Sequence, residues 1–161
     1  MQEHTFKQFD AELEAVRSQV LKMGGLVEEQ IINAIDALSN GNTELATAVI
    51  DNDHRVNALE VQIDETCSNI IARRQPTAGD LRMVMAIVKT ITDLERIGDE
   101  AEKVARMCKL VYATDRLSTP RFTDLKPMGL LAVGMLRKAL DAFARIEVNP
   151  AIDVAHEDIR V

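Results

Sequence analysis

Seven side chains in two groups carry the chemistry that this sequence offers. Asp53, Asn57, Glu60 and Asp64 follow one another at steps of four, three and four, and Glu95, Asp99 and Glu102 at steps of four and three. On a helix such spacing puts each group on one face. Glu95 and Asp99 are i and i+4, where two carboxylates repel each other unless a positive charge lies between them. Ligands made only of oxygen suit hard cations such as Mg²⁺, Ca²⁺ or Mn²⁺, and carboxylates in helical bundles also hold iron or zinc. The same residues serve equally as solvated helix surface, with Arg96, Lys103 and Arg106 as local partners. An enzymatic version, a di-iron oxidase centre, needs Glu-x-x-His pairs on facing helices. His4, His54 and His156 belong to no such pair, and none lies in a Ser or Cys arrangement for nucleophilic catalysis. The chain is therefore read as a non-enzyme.

Three long helices are needed to position these side chains. The first is expected from about Thr5 to Leu38, where Phe9, Leu13, Val16, Val20, Met23, Val27 and Ala34 keep a heptad rhythm; Gly24 and Gly25 in its middle mark a bend or a close helix crossing. After the turn at Ser39 to Thr43, a second helix runs from about Glu44 to Ala72 with Val49, Val56, Leu59, Ile63, Cys67 and Ile70 inward. It ends at the Gln75-Pro76 break. The third opens with a capping box, Thr77 and Asp80, and buries Ile87, Ile91, Leu94, Gly98, Ala101, Ala105 and Cys108 beside the acidic face, where Gly98 leaves room. In an antiparallel bundle the two acidic faces would converge. Arg73 and Arg74, in the connecting loop, read as a solvated charged turn, with a docking contact as the alternative.

Composition narrows the class. Of 161 residues, 47% are hydrophobic but only 3% aromatic, with no Trp, and the core residues repeat at three and four, which predicts an all-α fold. A net charge of −7 repels phosphate backbones, so nucleic acid is not an expected partner. Cys67 and Cys108 fall on apolar seams as small buried hydrophobes, and so few cysteines suit a reducing compartment. The charged N-terminus is no signal peptide, and the longest apolar run, Met83 to Val88, cannot cross a bilayer. A cytoplasmic location is expected, with the membrane reached only through partner proteins.

The chain also repeats itself. A shift of 105 residues lays Met23 to Val56 on Met128 to Val161 without a gap, matching Met23-Gly24 with Met128-Gly129, Asp36-Ala37 with Asp141-Ala142, and Asp53, Arg55 and Val56 with Asp158, Arg160 and Val161. Thr114 to Pro120 reads as a linker, a fourth helix as running from about Thr123 to Arg145 with Pro127 in its first turns, and Asn149-Pro150 as the cap of a fifth. The second copy is expected to stop short of the remainder of its second helix and all of its third. The face of Met128, Leu131, Met135, Leu136, Ala139, Leu140 and Phe143 should then fold back on the first three helices or pair with a second chain as a homodimer.

With LERIGD (Leu94 to Asp99) on the third helix of a duplicated unit, and with FDAELEAVRSQVLKMGGLVEEQI, NALEVQIDETC and IIARRQPTAGDLRMVM elsewhere, the sequence resembles the PhoU family of phosphate-signalling proteins over essentially its whole length. The resemblance implies two similar three-helix bundles, here a first unit at 1–113 and an incomplete second at 120–161. It also implies an adaptor without a catalytic step. Such a protein restrains the phosphate-starvation response by linking a high-affinity phosphate ABC transporter, through its ATPase subunit, to a membrane sensor histidine kinase. The family's acid-x-x-x-Asp motif falls on Glu95 and Asp99 and on Asp53 and Asn57, where Asn replaces the second acid and removes a bidentate ligand. The implied metal site, for Mg, Mn, Fe or Zn, would draw on Glu95, Asp99 and Asp53 with Asn57, Glu60 or Asp64. A carboxylate bundle with a di-iron-type or purely structural role is the alternative.

Overall fold

Every strongly periodic apolar segment of the sequence is helical in the computed structural model, which describes residues 2–113, 122, 125–146 and 148–157. The order is α1 (Gln2–Asn40), α2 (Thr43–Asn52), α3 (His54–Arg74), α4 (Ala78–Tyr112), α5 (Leu125–Arg145) and α6 (Val148–Glu157). The expected linker at 114–120 and the repeat positions Asp158, Arg160 and Val161 lie outside the described residues.

Two apolar clusters hold the bundle. In the larger, Val16, Val20, Met23 and Val27 of α1 meet Val56, Ile63, Cys67 and Ile70 of α3 and Val84, Ile87, Ile91 and Leu94 of α4, and Leu136 of α5 joins them. Each such aliphatic side chain contributes roughly 1.5–3 kcal/mol by leaving water. In the smaller, Ala34, Ala37 and Leu38 of α1 and Ala46 and Val49 of α2 pack on Ala101, Ala105 and Cys108 of α4. Small residues there let the helix backbones approach closely. Both cysteines are free and buried; burial and the nearby Asp64 push the Cys67 thiol up to about 11.

The turns follow from local chemistry. Gly41 takes the left-handed backbone (φ +69) that closes α1, and Asn42 caps α2 by accepting from the Leu45 amide at 3.0 Å. Tyr112, at the far end of α4, donates its hydroxyl to Leu38 O at 3.0 Å and lays its ring against Gly41. At the start of α4 the Thr77 hydroxyl donates to Asp80 Oδ2 at 2.7 Å, so the capping pair bonds side chain to side chain rather than to the backbone amides.

The expected single helix from Glu44 to Ala72 is two helices. At Asp53 the backbone ladder tightens: its amide reaches Ile50 O at 3.4 Å, while its carbonyl accepts from Val56 at 2.9 Å and Asn57 at 3.4 Å. Asn52 donates to Ala48 O at 2.8 Å and His54 Nδ1 contacts Asp51 O at 2.6 Å, so polar side chains compete for the carbonyls of this turn. The two helices meet at Asp53, whose backbone stays right-handed helical (φ −58, ψ −37) and whose carboxylate is buried.

Arg74 belongs to neither reading of the α3–α4 turn. It grips Glu12 of α1 through Nη2 at 2.6 Å and Nε at 3.2 Å, a bidentate pair joining residues 62 apart in sequence. Arg73 remains exposed.

Helix α5 folds back on α1. Gly129, Val133, Leu136 and Ala142 are its buried residues, while Met128 and Leu131, placed on the apolar face by the sequence, are exposed. Lys126 pairs with Asp36 at 2.9 Å, Arg137 Nε donates to Glu28 at 2.8 Å and Arg17 donates to Ala144 O at 2.6 Å. Gly24 marks the helix crossing, whereas nothing lies within 4 Å of a Cβ placed on Gly25. Helix α6 begins at Val148, which puts Asn149 and Pro150 inside its first turn rather than at its cap. Among the described residues no helix is long and apolar enough to cross a membrane.

Candidate functional site

Asp53 is the centre of the acidic region, and it is only 8% exposed. Gln30 of α1 donates Nε2 to its Oδ1 at 3.1 Å, and Asn57 of α3 donates Nδ2 to its Oδ2 at 3.2 Å. Two amides therefore hold the carboxylate, each using one acceptor site on one oxygen. Helix α4 approaches this node through Gly98. A Cβ there would lie 3.0 Å from Gln30 Oε1, 3.5 Å from Val56 and 3.7 Å from Asp53 Oδ1. The room that the sequence assigns to Gly98 is thus occupied by Gln30 and Asp53. Gln30 Oε1 and Asn57 Oδ1 are buried acceptors without a hydrogen-bond partner.

Along α4 the acidic face continues outward. The Glu95 carboxyl is raised above the ordinary range, first by burial and then by the charges of Asp99, Glu60 and Asp53, with Arg96 opposing. Glu60 accepts a long hydrogen bond from Thr92 at 3.5 Å. Glu95, Asp99, Glu60 and Asp53 thus share one electrostatic neighbourhood between α3 and α4. Asp64 does not join it: that residue is exposed and acts on Cys67. Glu102 leaves the group as the partner of Arg106. Of the cations expected as local partners, Arg106 takes Glu102, while Arg96 pairs with Asp93 at 3.8 Å and Lys103 with Glu100 at 2.7 Å.

These donors are all oxygen, which fits a hard cation in kind. In arrangement they are dispersed: among the described residues no group of three or more His, Cys, Asp or Glu side chains stands ready to hold a metal ion. His54 is exposed on α3.

Sequence reasoning missed Gln30. The signal was present, because Gln30 sits three residues after Val27 and four before Ala34, the one polar residue on an apolar seam. A polar side chain in such a place needs a partner, and the buried Asp53 is that partner.

A long-helix bundle with an amide-held aspartate between α1, α3 and α4 and an acidic face on α4 defines the class. Residues 20–108 match the model of the PhoU domain. The chain is 50% identical over its whole length to the phosphate-specific transport system accessory protein PhoU of Serratia marcescens, covering 65% of that protein. It is 46% identical to the protein of the same name from Escherichia coli (strain K12), covering 66% of it. In structure it is similar to crystalline PhoU from Pseudomonas aeruginosa, with a TM-score of 0.89, 45% identity, and coverage of 94% of this chain and 72% of that one. It is also similar to the phosphate transport system regulatory protein PhoU from Streptococcus pneumoniae, with a TM-score of 0.85, 33% identity, and coverage of 94% and 70%. The chain belongs to the PhoU domain family. It spans about two thirds of the length of these relatives, 65% of the Serratia marcescens protein.

Proposed function

We propose that this chain is a regulatory accessory of phosphate transport. It acts in the cytoplasm as an adaptor between the phosphate transporter's ATPase subunit and a phosphate-sensing histidine kinase, restrains the phosphate-starvation response, and catalyses no reaction of its own. The observation that carries this reading is the 50% identity over 161 residues to a phosphate-specific transport system accessory protein. Apolar side chains left on the surface, Met107 and Leu110 of α4 and Met128, Leu130 and Leu131 of α5, supply the contact area that an adaptor and its homodimer need. Capture of the ATPase subunit and of the kinase by the immobilised chain tests the reading; retention of neither contradicts it.

A second reading, cation binding on the acidic face, is favoured by the environment of Glu95. A divalent ion beside Glu95 and Asp99 would offset the burial and the neighbouring carboxylate charges that raise the Glu95 carboxyl. Bound Mg²⁺, Mn²⁺, Fe²⁺ or Zn²⁺ after dialysis, lost in Glu95→Gln with Asp99→Asn, is the expected result. An ion content unchanged by those substitutions contradicts it.

A further inference from the structure

Helix α4 carries two heptad stripes, and its neighbours cover only one of them. The buried stripe runs from Val84 through Ile91 and Gly98 to Cys108. The second begins with Leu81, Met85 and Val88, passes Thr92, and continues as Glu95, Asp99 and Glu102, again at alternating steps of four and three. Such spacing is the seam of a helix that meets another helix. Here it faces outward beside α3: Leu81 is 38% and Met85 45% exposed, and Thr92 reaches Glu60 of α3 at 3.5 Å.

The α3–α4 groove changes character along its length. Toward the turn between the helices, Val88 and, on α3, Ile71 are half-buried against the larger core, while Leu81 and Met85 stand exposed. Past Thr92 the groove turns acidic, with Glu95 close to the charges of Asp99, Glu60 and Asp53. Val61, 57% exposed, stands on α3 four residues after Asn57 and three before Asp64. Arg106 is committed to Glu102, whereas Glu60, Asp64, Glu95 and Asp99 have no ion-pair partner among the described residues. Both walls belong to the first unit, whose three long layers α1, α2–α3 and α4 are all present, so this groove is not the seat of a further helix of the repeat.

We propose that this groove docks a basic amphipathic helix of a partner protein, with large apolar side chains at its heptad positions beside Leu81, Met85 and Val88 and Lys or Arg at those beside Glu95 and Asp99. Apolar knobs at one end take exposed Leu and Met side chains out of water, and cations at the other meet carboxylates that lack partners. A divalent ion alone serves only the acidic half. A second copy of this chain brings the same acids and the same net charge of −7 to the contact, which opposes the pairing of like grooves. The proposal rests on the adaptor reading for the existence of such a partner.

The test uses the whole 161-residue chain in buffer containing a chelator. The probe is a labelled helical peptide of about 22 residues, the span from Leu81 to Glu102, with Leu at the heptad positions of one half and Lys at those of the other, made in both orders. Saturable binding that weakens with salt is expected for one order, and the same peptide with Glu in place of Lys should not bind. Met85→Glu in the chain should weaken binding about tenfold or more and leave the melting temperature nearly unchanged, since Met85 is exposed. Glu95→Gln with Asp99→Asn should weaken it and flatten its salt dependence. No saturable binding of either peptide overturns the proposal, as does binding that ignores the exchange of Lys for Glu or either variant. Binding seen only with added Mg²⁺ or Mn²⁺ assigns the acids to an ion and overturns it equally, as does a dimer in sedimentation that Met85→Glu converts to monomers. Neither phosphate-signalling partner is in the assay, so failure to capture those proteins and failure of the groove are told apart.

Discussion

Leu140 of α5 packs over Gly24 of α1, so closely that a Cβ on Gly24 would lie 2.6 Å from either Leu140 methyl. Ile35 of α1 packs in the same way over Gly129 of α5. Gly24 and Gly129 are 105 residues apart, and so are Ile35 and Leu140. Exchanging the two copies of the repeat maps one contact onto the other, which makes this helix crossing an isologous interface inside a single chain.

That relationship separates two adjacent glycines. Gly24→Ala must displace Leu140 and should lower stability by up to about 2 kcal/mol, an overpacking cost of about 1–3 less the roughly 1 gained in helix propensity. Gly25→Ala meets open space and should raise stability by about 0.5–1 kcal/mol through the unfolded chain. Chemical denaturation of the two variants checks this. Shifts of the same sign contradict the crossing.

Two glutamates should respond to pH in opposite senses. The Arg74 guanidinium holds the Glu12 carboxyl below its ordinary range. Its stabilisation is present above the unfolded-state pKa and is lost as pH falls through the lower folded-state value. Glu95 is raised by burial and by neighbouring carboxylates, so its ionised form opposes folding at neutral pH, and this penalty disappears as pH falls through the raised value. Glu12→Gln should therefore destabilise at pH 7 and be nearly neutral in acid. Glu95→Gln should stabilise at pH 7 and lose that advantage in acid. Melting curves between pH 3 and pH 8 on the two variants measure both, and the same pH trend in both contradicts the assignment.

Gln30 should be the most sensitive polar position in the bundle. Gln30→Leu deprives buried Asp53 of a charge-assisted bond and should cost about 1.5–3 kcal/mol. Asn57→Ala, at a half-buried position on the same carboxylate, should cost less. Removing the carboxylate as well, in Gln30→Leu with Asp53→Leu, should recover part of the loss, because no buried charge is then left unpaired. Additive losses in the double variant would show that the node contributes nothing as a pair.

Most of the architecture was legible because it rests on apolar periodicity. Val16, Val20, Met23 and Val27 mark the buried face of α1, and Ile87, Ile91, Leu94, Gly98, Ala101, Ala105 and Cys108 mark that of α4; all are buried in the structure. The repeat was legible through matched Met-Gly, Asp and Arg positions rather than apolar periodicity, and the left-handed position shared after α1 and α5 is its structural counterpart. The division at Asp53 was not, since heptad spacing passes through it undisturbed, and the local hydrogen bonds of Asn52 and His54 to backbone carbonyls leave no periodic signal. Arg74 looked like a solvated turn residue because its partner, Glu12, lies in another helix. The acidic face was visible as spacing on each helix, but the outward Asp64 and the pairing of Glu102 with Arg106 depend on helix rotation and on local ion pairs.

The regulatory role is tested most directly by a reporter of phosphate-starvation genes in cells grown in phosphate-rich medium, with and without the gene for this chain. Deletion should switch the reporter on despite abundant phosphate, and restoring the gene should switch it off again. A reporter that stays silent after deletion contradicts the account.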